Sequence, residues 1–200
     1  MKKFRFAILG AGHIARQFCD AVSRIDGCEV CAVASKSLAR AENFAKENGV
    51  ESYYDDYETL LEKERADCAY IAVTTNDHYR LSVLCVNHSV PVLCEKAMFQ
   101  NSEEAKKLYV LASEKKIFVM EALWSRYLPA VQQVKRWVEQ EKIGKPTVLQ
   151  CNIGFLAPDE KENRYFNPKL GGGAAKDITV YAYDGYMGDA PCQIQEIKIQ

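Results

Sequence analysis

The chain predicts an α/β fold in which an N-terminal Rossmann unit, a doubly wound parallel sheet over residues 1–121, is followed by a truncated α+β unit, predominantly antiparallel sheet, over residues 122–200. Three observations predict it. Short apolar runs alternate with helical patterns through the first unit, and that alternation demands a parallel sheet with crossover helices. Gly10-Ala11-Gly12-His13-Ile14-Ala15 follows the first run and opens the first helix. Beyond residue 121 the alternation gives way to longer polar stretches and isolated strand patterns.

The elements follow in order. Phe4–Leu9 reads as a short apolar strand, and the helix after it carries Ile14, Phe18, Val22 and Ile25 at helical spacing, which marks them as its buried face. Residues 30–34 form the second strand and 37–48 the second helix, with Gly49 as its stop. A short strand at 52–54 leads to a helix at 57–63. A strand at 68–73 then ends in Thr74-Thr75-Asn76, followed by a helix over 78–88 and a strand over 90–94. Asn101 and Glu104 make a capping pair for the helix that runs to residue 115, and 117–120 is the last strand of this unit. In the second unit, 129–140 is a helix, Gly144-Lys145-Pro146 a turn and 148–155 a strand. Residues 157–169 form a polar loop long enough to be functional. Three glycines, a short helix from about Lys176 and a final strand alternating Ile197 and Ile199 with polar residues complete the chain.

Lys plus Arg total 26 against 27 Asp plus Glu, and no basic stripe appears, so neither nucleic acid nor a membrane surface is an expected partner. No apolar run is long enough to span a bilayer, and no leader pattern precedes the first strand. The expected location is cytoplasmic. Of eight cysteines, Cys31, Cys68, Cys94 and Cys151 lie in or beside expected strands, where free thiols act as small apolar residues. Cys28 and Cys31 form a C-x-x-C at a strand entry with no second pair, which argues against a metal or redox role.

The glycine turn is the first candidate site. Gly10 permits the tight turn, Gly12 lets backbone approach a pyrophosphate, and Ala15 keeps the helix close to the strand, while the N–H groups around Ile14 face the anions. His13 stands at the same end, either touching phosphate or facing solvent. An acid ending the second strand would bind the adenosine ribose and favour NAD. Here Ser35, Lys36 and Ser37 stand there, with Arg40 a turn later, a set suited to a 2′-phosphate. NADP is the expected cofactor, ahead of NAD.

Lys96 follows the fifth long strand, at the end where open α/β sheets hold ligands, and Asp177 and Tyr181 share a helix face four residues apart. Oxidising a carbinol requires a base for the hydroxyl proton, and a tyrosine beside a lysine can supply it. Taken singly each residue reads as a surface charge or a packed tyrosine. The dinucleotide site gives the combination its meaning.

These residues resemble the Gfo/Idh/MocA oxidoreductase family along essentially the whole chain. Glu95-Lys96-Ala97 is similar to that family's E-K-P, and Leu170-Gly171-Gly172-Gly173 leading to Asp177 and Tyr181 is similar to its G-G-G followed by D-x-x-x-H/Y. Phe118 to Tyr127, which includes Trp124, resembles the branch that contains dihydrodiol and NADP-linked xylose dehydrogenases. The resemblance implies hydride transfer between NADP and a carbinol carbon of a small sugar, polyol or trans-dihydrodiol. Lys96 and Tyr181 would share the proton chemistry and Asp177 would orient a substrate hydroxyl. It further implies that Thr74, Asn76 and His78 run along the cofactor, that Glu95 lies near the nicotinamide ribose, and that Trp124, Arg126 and Phe155 line the substrate pocket.

Two positions depart from the family pattern: Ala97 replaces the proline after the lysine, and Thr179 replaces a glycine before Tyr181. Family members also continue into a large antiparallel sheet that commonly forms a dimer interface, of which only 148–155 and the final strand are represented. The resemblance therefore implies a homodimer through that sheet, and it leaves an alternative: a catalytically weak or inactive NADP-binding regulator, or a fragment of such an enzyme.

Overall fold

A computed structural model describes residues 2–148, 150–158, 163 and 165–182. The chain divides into two compact units, Met1–Ala122 and Leu123–Gln200.

The first unit is a sheet of six strands, β1 (Phe4–Leu9), β2 (Cys28–Ala34), β3 (Ser52–Tyr54), β4 (Cys68–Ile71), β5 (Val92–Cys94) and β6 (Val119–Glu121). They lie in the order β3-β2-β1-β4-β5-β6, every pair parallel. The crossovers are α1 (His13–Ser23), α2 (Leu38–Asn48), α3 (Tyr57–Lys63), α4 (Thr75–Asn87) and α5 (Ser102–Lys115). Because side chains alternate across a strand, the central strands feed two cores. Ala7, Leu9, Ala69 and Ile71 join Leu60, Leu81 and Leu108 from α3, α4 and α5 on one face. Ile8, Val33 and Tyr70 join Ala15, Cys19 and Phe44 from α1 and α2 on the other.

Local chemistry sets the element ends. Asp56 caps α3 by accepting the Thr59 N–H at 2.7 Å. Asn101 accepts the Glu104 N–H at 3.0 Å, and the Glu104 carboxylate reaches back to the Gln100 N–H at 3.1 Å, a reciprocal cap of the kind expected from the sequence. Gly49 ends α2 in the left-handed conformation.

Several expectations are corrected. The buried stripe of α1 is Ala15, Cys19 and Val22, whereas Ile14 and Ile25 are exposed and Phe18 is half-buried, stacked on Tyr70 at 3.8 Å. Small residues at 15 and 19 let the helix lie close to the sheet, and the larger aliphatics fall beside that contact. β4 stops at Ile71 and α4 starts at Thr75, so the switch from strand to helix comes earlier than residues 73 and 78.

The second unit contains a 3-10 turn at Trp124–Tyr127, α6 (Pro129–Glu139), a 3-10 turn at Pro168–Leu170 and α7 (Ala174–Asp177). Proline at the first helical position costs α6 no hydrogen bond. The strand expected over 148–155 does not form among its described residues, which are exposed. A strand needs a paired backbone beside it, and among the described residues no strand flanks this segment. The final alternating strand lies outside the described residues. Among those described, no helix is long and apolar enough to cross a membrane.

Candidate functional site

β1 and β4 are neighbours, but the helices that follow them pack on opposite faces, so their carboxyl ends form the crevice where doubly wound sheets take ligands. The Gly10 turn sits there. Gly10 has φ +114°, and a Cβ on it would lie 2.4 Å from the Ala72 carbonyl oxygen. Both its conformation and its contact with the chain leading out of β4 require glycine. Gly12 is different: its φ is −102°, and a Cβ there would meet nothing nearer than the same oxygen at 4.0 Å. No protein contact requires glycine at 12, and the residue leaves bare backbone at the start of α1. That helix has no side-chain cap and no acid in its first turn, so its first N–H groups suit an anion. These features fit a dinucleotide pyrophosphate. His13 is exposed and shares a 3.1 Å hydrogen bond with Gln17.

At the end of β2, Ser35 is buried with its N–H on the Tyr54 carbonyl, while Ser37 begins α2 without its side chain capping the helix. Lys36 and Arg40 are exposed. The Lys36 ammonium donates to Asp77 at 2.6 Å, and Arg80 Nε reaches the other oxygen of the same carboxylate at 3.4 Å. Burial pushes the Asp77 carboxyl up, but the hydrogen bond and charge of Lys36, with Arg80, outweigh it and hold the group below the usual carboxylate range. Thr74 opens α4 and Asn76 is exposed in its first turn.

The loop after β5 is braced from several sides. Tyr70 donates from its hydroxyl to Glu95 Oε1 at 2.6 Å, and the Lys96 N–H reaches Glu95 Oε2 at 3.2 Å. Burial raises the Glu95 carboxyl, against the hydrogen bonds from Tyr70 and Lys96 that lower it. Because Cys94 pairs with Glu121 across the sheet, Glu121 stands beside this loop and accepts the Met98 N–H at 2.8 Å. His78, only 1% exposed, has Nδ1 at 3.2 Å from both the Ala97 and Met98 carbonyls and Nε2 at 3.1 Å from the Val73 carbonyl. Its ring thus ties the loop after β4 to the loop carrying Lys96. That bracing acts where Ala97 lacks the fixed φ of a proline.

In the second unit, Asn167 caps the turn before the glycines by accepting the Lys169 N–H at 3.0 Å, and the Gly173 N–H reaches the Tyr165 carbonyl at 2.8 Å. Asp177 closes α7, and Thr179 is accommodated by donating its hydroxyl to the Ala174 carbonyl at 3.0 Å. Tyr181 accepts the Trp124 indole N–H at 3.1 Å, with the two rings edge to face at 6.0 Å. Trp124 therefore orients the tyrosine hydroxyl. Phe155 packs edge to face on Tyr165 at 5.0 Å, and the backbone carbonyl of the exposed Arg126 accepts from Gln132.

Each unit thus gathers its own expected residues: Gly10, Gly12, Lys36 and the Glu95-Lys96 loop in the first, Trp124 and Tyr181 in the second. Tyr70, Asp77, Arg80 and Glu121 are the contributors that the sequence reading passes over. Their signal was present as an acid, Glu121, and a tyrosine, Tyr70, in otherwise apolar runs, and as the i, i+3 charge pair Asp77 and Arg80. Cys31 of the C-x-x-C has its Sγ 3.2 Å from the Phe6 carbonyl, and no group of three or more His, Cys, Asp or Glu that could hold a metal ion occurs among the described residues.

Comparison with known proteins follows this division. Residues 4–123 match "Oxidoreductase family, NAD-binding Rossmann fold", and residues 131–186 match "GFO/IDH/MocA C-terminal domain". A trans-1,2-dihydrobenzene-1,2-diol dehydrogenase of Danio rerio is 32% identical over 197 residues, 96% of this chain and 58% of that protein. The D-xylose 1-dehydrogenase (NADP(+)) of Hypocrea jecorina is 31% identical over 197 residues, covering 88% of this chain and 50% of that protein. The chain thus spans about half the length of these relatives. Among solved structures, an oxidoreductase from Agrobacterium radiobacter in complex with NAD+, L-tartaric acid and magnesium shares the fold with a TM-score of 0.76 at 22% identity, over 92% of this chain and 54% of that one.

Proposed function

This chain belongs to the Gfo/Idh/MocA family of oxidoreductases, and on that premise we propose that it takes part in NADP-dependent hydride transfer to or from a carbinol carbon of a small sugar, polyol or trans-dihydrodiol. The observation that carries this reading is the braced Glu95-Lys96 loop at the carboxyl end of β5, the same end of the sheet as the Gly10 turn.

In this proposal Gly10, Gly12, His13 and Ile14 hold the pyrophosphate, and Ser35, Lys36, Ser37 and Arg40 receive the adenosine end. Thr74, Asn76 and Glu95 line the path of the cofactor, while His78 acts through the loop it braces. The bound nicotinamide supplies the hydride acceptor or donor. In the oxidising direction Tyr181 would take the carbinol O–H proton as a phenolate base, and Lys96 would share that proton chemistry. Asp177 accepts a neighbouring substrate hydroxyl and fixes its orientation. Trp124 holds the Tyr181 oxygen from one side, and Arg126 and Phe155 shape the pocket. Absence of an acid at the end of β2 favours NADP over NAD. The seven free cysteines among the described residues suit a reducing compartment, so the proposal places the protein in the cytoplasm. A homodimer through the C-terminal sheet belongs to the same proposal.

The test is a panel of diols, aldoses and inositols with NADP+, followed at the nicotinamide absorbance. Turnover on at least one substrate is expected, and Lys96→Ala and Tyr181→Phe should each lower kcat by at least about a hundredfold. Wild-type rates in both variants would contradict the mechanism. Tight NADPH binding without turnover on any substrate would favour a cofactor-binding protein instead.

A further inference from the structure

β2 and β4 both neighbour β1, so the loops that leave them flank the Gly10 turn on either side. Lys36 comes from one loop, and Asp77 and Arg80 come from the helix that follows the other. They meet across the sheet edge: both oxygens of Asp77 are taken, one by Lys36 at 2.6 Å and one by Arg80 at 3.4 Å. The Asp77 side chain is only 16% exposed, whereas those of Lys36 and Arg80 are 69% and 57% exposed. A shielded carboxylate thus holds two reachable cations side by side. Beneath them lies the buried Tyr57, whose hydroxyl is raised first by burial and also feels the charges of Lys36, Asp77, Arg80 and Arg40. Lys36 and Arg80 meet on the one carboxylate, and Arg40 adds a third cation that acts on the Tyr57 hydroxyl, so the charges around that hydroxyl carry an excess of two positive. A phosphomonoester carries about 1.5 to 2 negative charges at neutral pH.

We propose that Arg80, with Lys36, clamps the 2′-phosphate of NADP, and that Asp77 is their internal counter-ion and sets the discrimination between NADP and NAD. The inference rests on the NADP reading above and adds to it two residues from α4. Asp77 fixes both cations in one place, and its negative charge opposes the phosphate they receive. Removing that charge while keeping a hydrogen-bonding amide leaves the cations free to turn fully to the phosphate.

Adenosine 2′,5′-bisphosphate and AMP differ only at the 2′-phosphate, so calorimetric titration of both isolates this site from turnover. The wild-type chain should bind the bisphosphate more tightly than AMP. Arg80→Gln should weaken the bisphosphate about tenfold, as loss of one charge-assisted hydrogen bond implies, and leave AMP unchanged. Asp77→Asn should tighten the bisphosphate roughly threefold or more, again without moving AMP. A wild-type chain that binds AMP as tightly as the bisphosphate overturns the NADP reading itself. A wild-type preference for the bisphosphate that Arg80→Gln leaves intact overturns the clamp alone, and weaker bisphosphate binding by Asp77→Asn overturns the counter-ion role.

Discussion

Gly10 and Gly12 stand two residues apart in one turn, yet glycine serves a different purpose at each. At 10 the backbone conformation and the Ala72 carbonyl exclude a side chain; at 12 neither does. Gly10→Ala should therefore lower stability by about 1–3 kcal/mol from backbone strain alone, a thermal shift of several degrees. Gly12→Ala should melt like the wild-type chain but bind NADPH at least about tenfold more weakly, because the added methyl stands where the pyrophosphate approaches. Thermal melts and a cofactor titration of the two variants check both; equal binding by Gly12→Ala would contradict the cradle. The glycine spacing was legible in the sequence, but the distinction between the two glycines was not, because it depends on where residue 72 passes in space. Tyr181 shows the same limit. Helical spacing led the sequence reading to put it on one face with Asp177, but α7 ends at Asp177, and its contact with Trp124 joins residues 57 positions apart.

Among the elements, the braced loop after β5 ties strand and helix order to the chemistry. The sequence reading expects His78 to run along the cofactor, and the structure gives it a buried ring between three backbone carbonyls. Burial lowers its pKa below the ordinary 6.5, outweighing the hydrogen bonds that raise it. The unfolded chain thus binds the proton more readily than the folded one. The stability contribution is full above pH 6.5 and is lost as pH falls through the folded value. Wild-type protein should accordingly lose more thermal stability between neutral and acidic pH than His78→Gln, which carries no proton there. Identical pH slopes in the two proteins would contradict this role. The strands and helices of the first unit were readable because alternation and capping residues are local signals. The buried face of α1 was not, since Ala15 and Cys19 are chosen for size and a search for large aliphatics overlooks them. The strand expected over 148–155 failed for another reason: apolar content marks a segment for pairing but does not supply its partner.

At the scale of the molecule, the two units meet the sequence reading unequally. The sheet order places the Gly10 turn, the Lys36–Asp77–Arg80 cluster and the Lys96 loop at one end of a single sheet, an arrangement that follows from alternation and right-handed crossovers. The cores on both faces also enclose most of the thiols. Burial pushes Cys19 and Cys31 up to about 11, and Cys68 and Cys85 up to about 12. A thiol reagent should therefore modify the exposed Cys151 quickly, while these four stay protected until the chain unfolds. Mass mapping of labelled peptides reads this directly, and early labelling of Cys68 or Cys85 would contradict the core assignment. The proposed reaction depends on cofactor binding by the first unit. Its most direct measurement is a pair of titrations of the full chain with NADPH and NADH. The account expects saturable binding of both with NADPH at least about tenfold tighter, and tighter binding of NADH, or binding of neither, would contradict it.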